Sequence, residues 1–284
     1  PRGLRGGRTG STQVVGRAAD FDYESKRWGG APVRPRPWYM GGLKLRYLLE
    51  DMEGRGGRFL DVGCGGGAMA RAVSRERPDL RVHGVDLSRG AVAFAAREGE
   101  GVCFTVGDAQ RLPYKDAVFD AVSLFDVLEH VDQPERVLAE VARVLRPHGL
   151  LHVALPLEAQ PGTVYALIGT GTRWKAKLRH GGHVQLFDSR RYETLAAAFG
   201  LPVVRTRWSY HHLFSLIDVL FFVLADLRGP LKTSVEDAVA AKGGPLGHPL
   251  RALKGLVAAM GWYEARLCRG LPGACGHFTS RRAC

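Results

Sequence analysis

The sequence predicts a doubly wound α/β fold, a mostly parallel sheet with helices on both faces, and three observations carry that prediction. From Arg58 onward, short apolar runs alternate with amphipathic stretches, the pattern of buried parallel strands joined by crossover helices. The first of these runs, Phe59 to Val62, empties into a glycine-rich turn at Gly63, Gly65, Gly66 and Gly67, which suits close approach of a ligand at the carboxyl end of a strand. Towards the end of the chain the alternation gives way to long apolar and amphipathic runs, so extra C-terminal helices follow the alternating part.

Taken in order, residues 1–20 are rich in Gly, Arg and Ser and poor in apolar side chains; they read as a flexible basic leader. Residues 21–54 form an N-terminal helical segment. Phe21, Tyr23, Trp28, Trp38 and Tyr39 give it surface to pack, and Leu43, Leu45, Leu48, Leu49 and Met52 follow helical spacing up to Gly54. Residues 55–210 form the core. Strands are expected at Phe59–Val62, Arg81–Val85, Val102–Val106, Phe119–Leu124, Leu150–Leu155 and Pro202–Trp208. Between them lie helices over Ala68–Arg77, from the cap Ser88 to Arg97, over Pro134–Leu145 with Pro in the first turn, and over Arg190–Phe199. In residues 211–284, Leu213–Leu227 is almost wholly apolar, with Ser215, Asp218 and Asp226 on one side. A Gly/Pro-containing linker follows, then a helix from Pro249 to Arg269 with Leu250, Leu253, Val257, Met260 and Leu267 on one face, and a short last strand near His277–Arg281.

Composition narrows the function classes. A chain of 284 residues buries a substantial core, and no run approaches the roughly 18 apolar residues of a membrane span. The N-terminus lacks the apolar region of a secretory signal. The five cysteines are scattered with no CxxC pair, so neither a zinc site nor a disulfide framework is expected, and a cytoplasmic setting is the default. A net charge of +12 admits nucleic acid, an anionic membrane surface or acidic substrates. The excess of Arg arises as readily from a GC-rich genome.

Five segments carry chemistry. In Asp61-Val62-Gly63-Cys64-Gly65-Gly66-Gly67, the pattern Gly63-x-Gly65-x-x-Ala68 also fits a dinucleotide fingerprint. Asp61 separates the two readings. A dinucleotide site turns backbone N–H groups towards a pyrophosphate, which a carboxylate there repels, whereas a cationic ligand without phosphate suits an acidic turn. Asp86, in Val85-Asp86-Leu87-Ser88, ends the second strand, where an acid accepts from ribose hydroxyls or caps a helix. Asp108, in Gly107-Asp108-Ala109, can accept from an adenine amine or stabilise a turn. The fourth segment, Phe119 to Val131, opens from a buried strand into a loop with Asp126, Glu129 and His130; the fifth, Leu145 to Leu151, is a helix end, a turn and a strand.

As a set, DVGCGGG, VDLS, GDA, FDAVSLFDVLEHV and LRPHGLL resemble the class I S-adenosylmethionine-dependent methyltransferases of small molecules, closest around LEHV to the ubiquinone-pathway O-methyltransferases. The resemblance covers about residues 55–208. It implies a seven-stranded Rossmann-like sheet, S-adenosyl-L-methionine as cofactor, and methyl transfer to an O, N or C nucleophile. Carried onto this chain, it assigns Asp61, Gly63, Gly65 and Gly67 to the methionine moiety, Asp86 to the ribose, and Asp108 with Ala109 to the adenine, with Cys64 and Leu87 as further cofactor-binding positions. Phe125 is expected beside the cofactor, opposite the acceptor.

His130 and His183 are the catalytic candidates, since a hydroxyl acceptor gains from a base within hydrogen-bond reach. Each can equally hold its own loop. Glu129 suits a metal ligand or a structural acid, and no metal cluster is expected. Residues 211–270 are expected to form a lid, a membrane dock or a packing surface, and a basic amphipathic helix suits an anionic interface. The expected acceptor is small and hydrophobic: a quinone, a lipid-linked intermediate or a natural-product hydroxyl. Three rivals remain, namely a nucleic-acid methyltransferase, an NAD-dependent oxidoreductase and a non-catalytic binding protein. The first is disfavoured because FDVLEH lacks the Asn/Asp-Pro-Pro-aromatic motif of base-amine methylation. The oligomeric state is left open.

Overall fold

The structure is a computed structural model that describes residues 14, 16–17, 28–39, 41–170, 173–228 and 247–284. Most of the expected leader, Phe21, Tyr23 and most of the linker between the last two helices lie outside the described residues. Among the described residues seven strands occur in chain order, β1 (Gly57–Val62), β2 (Leu80–Asp86), β3 (Cys103–Val106), β4 (Phe119–Phe125), β5 (Leu145–Pro156), β6 (Val203–Ser209) and β7 (Cys275–Arg281). They form one sheet in the order β3-β2-β1-β4-β5-β7-β6. The first five pair in parallel, and β7 runs antiparallel between β5 and β6. The expected mostly parallel, doubly wound sheet is present, and the direction of strand succession reverses between β1 and β4. Open α/β sheets bind ligands at the carboxyl ends of such a pair.

Side chains on neighbouring positions of β1 go to opposite faces. Leu60 packs with Val137, Leu138, Val141 and Val144 of α4 (Pro134–Val144) and with Tyr192 of α6 (Ser189–Ala198). Phe59 packs on the other face with Leu45 and Leu48 of α1 (Gly42–Asp51) and Val73 of α2 (Ala68–Glu76). Ser88 caps α3 (Arg89–Glu98) as its position predicts, accepting from the Ala91 amide at 3.1 Å. β5 starts at Leu145, five residues before the expected strand, because Leu145 pairs with Phe119 across an irregularity.

The last two long helices, α7 (His212–Arg228) and α8 (Gly247–Leu267), follow the short α5 (Val164–Ile168) in chain order. Glu264 of α8 caps α7 from outside, accepting from the amides of Leu213 at 2.6 Å and Phe214 at 3.0 Å. The seam of α8 differs from the apolar face that the sequence suggests. Ala258, Ala259, Trp262 and Ala265 are buried, whereas Leu253 and Leu267 are 57 % and 86 % exposed. Close approach decides this: a Cβ on Gly261 would stand 2.6 Å from Phe214, so the small-residue side of α8 meets α7.

Asp51, at the end of α1, ties this helix to the far strands. Its buried carboxylate accepts from Thr279 Oγ1 at 2.6 Å, from His152 Nδ1 at 2.8 Å and from Arg207. Burial alone raises the Asp51 pKa, but the bonds from His152 and Thr279 and the Arg207 charge hold it below the ordinary value. Burial pushes His152 down, so a neutral imidazole donates Nδ1–H. Replacing Asp51 by Ala leaves a buried imidazole and guanidinium without their acceptor, and a loss of about 3 kcal/mol in urea unfolding is expected. Because the folded pKa is depressed, the Asp51 contribution is complete above the unfolded aspartate value. It is lost as pH falls through the folded one, so the wild-type and Ala variant stabilities should converge in acid.

Candidate functional site

The carboxyl ends of β1 and β2 are knitted together by backbone donors. The amides of Gly63 and Cys64 donate to the Val85 carbonyl at 2.8 and 3.0 Å, and Gly67 donates to the Cys64 carbonyl at 2.9 Å. Asp86 accepts from the Gly65 amide at 2.8 Å and the Ser88 amide at 2.9 Å. Gly65 has φ +51°, and a Cβ there would lie 2.6 Å from the Trp28 carbonyl oxygen. Cys64 is buried and Leu87 is exposed.

A strap from the N-terminal segment lies over this turn. The Gly66 amide donates to the Trp28 carbonyl at 2.7 Å and the Ala68 amide to the Gly29 carbonyl at 3.0 Å. These are the N–H groups that would receive a pyrophosphate at the start of α2, and the chain fills them itself. Asp61 is buried at the end of β1 and accepts from Ser123 Oγ at 2.7 Å. Burial pushes its pKa up to about 7; Ser123 pulls the other way, and nearby Asp86 adds to the rise. The turn is therefore acidic and closed to phosphate, as a cationic ligand requires.

One strand further out, Asp108 Oδ1 accepts from the Gln110 amide at 2.8 Å, and Ala109 packs on the core. Phe125 ends β4, half-buried. Asp126 follows with φ +54° and pairs with the buried Lys44 of α1. Burial opposes the Lys44 charge, yet Asp126 keeps its pKa well above the ordinary value. Val127 then packs so closely on Gly63 that a Cβ there would stand 2.5 Å from it. The 3-10 turn Leu128–His130 thus starts against the glycine turn.

His130 and His183 meet although 53 positions separate them in sequence. Their rings pack edge to face with centroids 4.9 Å apart. His130 Nδ1 lies 3.1 Å from the Gly182 carbonyl, and His183 Nδ1 lies 2.6 Å from Glu158 Oε1. Burial, with His183 alongside, lowers the His130 pKa to about 3. Burial acts to raise Glu158, but His183 and Lys177 hold it down to about 2. Lys177 lies 3.7 Å from Glu158 and 3.3 Å from Asp218 of α7. Glu129 is fully buried, and burial with the Asp126 charge raises its pKa well above the ordinary value.

The structure brings Asp61, Gly63, Cys64, Gly65, Gly67 and Asp86 into one bonded unit, sets Leu87, Asp108 and Ala109 along the edge towards β3, and groups Phe125, His130 and His183 on the β4 side. Sequence reasoning missed Lys44, Glu158, Lys177 and the Trp28–Gly29 strap. A signal for Glu158 existed: it follows the end of β5, as Asp61 and Asp86 sit at the ends of β1 and β2.

Comparison with known proteins agrees with this geometry. Residues 60–153 match a family described as a methyltransferase domain. The chain is 30 % identical over 179 residues to a ubiquinone biosynthesis O-methyltransferase of Xanthomonas axonopodis pv. citri, spanning 61 % of this chain and 73 % of that protein. It is 40 % identical over 95 residues to a ubiquinone/menaquinone biosynthesis C-methyltransferase of Desulfotalea psychrophila, spanning 33 % of this chain and 39 % of that one. The fold matches phosphoethanolamine N-methyltransferase 2 of Haemonchus contortus, solved with S-adenosyl-L-methionine, with a TM-score of 0.55 at 18 % identity, over 85 % of this chain and 53 % of that one. An acidic glycine turn that takes no phosphate, on a 3-2-1-4-5-7-6 sheet with these relatives, has one reading: the chain belongs to the class I S-adenosylmethionine-dependent methyltransferases.

Proposed function

We propose that this chain methylates a hydroxyl of a small hydrophobic acceptor, such as a quinone, a lipid-linked intermediate or a natural-product phenol. The observation that carries the reading is the His183–Glu158 pair beside His130 at the exit of β4. A carboxylate only accepts, so Nδ1 of His183 holds a hydrogen; in the neutral ring Nε2 then presents a lone pair. A hydroxyl bonded to that nitrogen is oriented and loses its proton to it as the methyl arrives. His130 is held in the same sense by the Gly182 carbonyl and packs edge to face on His183.

S-adenosyl-L-methionine, when bound, supplies a methyl carbon already activated by the sulfonium. The work of the chain is alignment and exclusion of water. Asp61 is suited to its ammonium group, Asp86 to its ribose, and Asp108 with Ala109 to its adenine; the glycine turn leaves room that side chains would fill. A small crevice with largely apolar walls, lined by Tyr39, Leu43, Tyr210, Phe214 and Trp262, adjoins Lys44, the partner of Asp126 at the β4 exit.

Exposed apolar residues support contact with an anionic membrane surface. On α7, Leu213, Leu216, Leu220, Val223, Leu224 and Leu227 are exposed and fall within an arc of about 100° at helical spacing. Exposed Arg251 and Arg266 on α8 add positive charge. Among the described residues no helix is long and apolar enough to cross a membrane, so the contact is peripheral.

Titration calorimetry with S-adenosylhomocysteine tests the cofactor assignment. Asp86→Ala should weaken binding about 100-fold or more, close to 2.7 kcal/mol, with circular dichroism unchanged; retained affinity would remove Asp86 from the site. Asp61 must be ionised to hold a cationic group, and its free pKa lies near 7. Affinity should therefore fall about tenfold per pH unit below that value and level off above it, with proton release at neutral pH; a flat profile in Asp61→Asn checks the source. For the membrane contact, Leu216→Glu/Leu220→Glu should abolish co-sedimentation with phosphatidylglycerol vesicles. Wild-type protein that ignores these vesicles would end that part of the reading.

A further inference from the structure

The cluster around the two imidazoles contains a feature that proton transfer alone leaves without a task. Glu129 is wholly buried, and neither of its carboxylate oxygens has a hydrogen-bond partner among the described residues. Leaving a buried carboxyl group without partners is costly even in its neutral form. Its backbone carbonyl is used, accepting from Val184 at 2.8 Å and Gln185 at 3.1 Å, which fixes the residue in place. The side chain is thereby held against the loop that carries His183.

One ligating atom from each of Glu129, His130 and His183 lies within 4.8 Å of the other two. His130 turns Nε2 towards Glu129, 3.7 Å from Oε1. Both imidazoles are oriented through Nδ1, one by a carbonyl and one by a carboxylate. Metal-bound histidines are arranged in this way, the outer nitrogen bonded to a carboxylate or carbonyl and the inner one facing the ion. Ligands at about 2.1 Å from a tetrahedral ion lie roughly 3.4 Å apart, so the three groups need to close by no more than about 1.5 Å, within reach of side-chain rotation.

We propose that Glu129, His130 and His183 form a binding site for a divalent transition-metal ion, with Glu158 as the orienting partner of His183. Two imidazoles and one carboxylate suit Zn2+, Co2+, Mn2+ or Fe2+ and disfavour Mg2+, which takes oxygen ligands. The site deepens the methyl-transfer reading and rests on it only for its effect. A three-ligand ion keeps positions open for a hydroxyl, whose proton it makes easier to lose. In the metal-free protein the His183 lone pair serves the proton instead; the two uses exclude each other on one nitrogen.

The test is titration of the 284-residue chain with Zn2+ by calorimetry and with Co2+ by visible absorption, with Mg2+ as control. One equivalent of Co2+ should bind with d–d bands and without the sulfur charge-transfer band that Cys284 beside His148 would give. Glu129→Gln and His183→Ala should each abolish this signal, and Glu158→Gln should weaken binding roughly 10- to 100-fold. S-adenosylhomocysteine affinity, measured on every variant, shows which of them fold, and His183→Ala covers the case in which Glu129→Gln does not. Absence of Zn2+ and Co2+ binding, equal binding of Mg2+, or unchanged binding in folded His183→Ala would overturn the site. Cofactor binding and metal-free methyl transfer would then still stand, so failure of the ion site is distinct from failure of the enzyme assignment.

Discussion

A carboxylate withdrawn from water has to be answered by donors, and Asp51 is the place where the geometry of this chain depends on that rule. Its donors come from β5, β6 and β7, so the helix that bears it is fixed by strands far away in sequence. One helical face carries both Asp51 and, two turns earlier, Lys44. Lys44 reaches Asp126, and Asp126 sits where β4 leaves the sheet in a left-handed conformation. The direction of the chain into Leu128–His130 follows. A helix outside the sheet therefore sets the direction in which the proposed acceptor side begins.

The glycine turn and its two acids were legible in the sequence because the requirements of such a turn are local. Glycines where backbones approach, an acid at the end of β1 and another at the end of β2 lie within a few residues of the turns that they serve. Strand and helix alternation likewise needs only short windows, and the observed strands fall where apolar runs lie. The polar side of α7 was also readable: Asp218 and Asp226, expected together, both face the Val164–Gly181 stretch, where they meet Tyr165, Lys177, Trp174 and His180.

What escaped the sequence has one physical character. Lys44, Asp51, Glu158 and Lys177 are charged residues whose side chains fold inward, and in a linear text each reads as a solvated side chain. Their burial is stable only because the partner arrives from a distant segment, and no periodicity records that meeting. The face of α8 was misjudged for a related reason. Hydrophobicity pointed to its leucines, but contact with α7 selects the small side, where Gly261 admits Phe214. The meeting of Glu129 with His183 is of the same kind: both residues stood out in the sequence, but the loop that brings them together is organised by backbone bonds.

The position of β7 has a consequence for how the molecule is made. During synthesis β6 emerges well before β7, and among the described strands β6 pairs only with β7. Until residues 275–281 leave the ribosome, β6 has no neighbour and the outer edge of β5 is bare. The first five strands can assemble as they appear, but the sheet closes only after both long helices have been made. A chain interrupted in that interval is a half-sheet with an open parallel edge, a template for aggregation rather than a smaller enzyme.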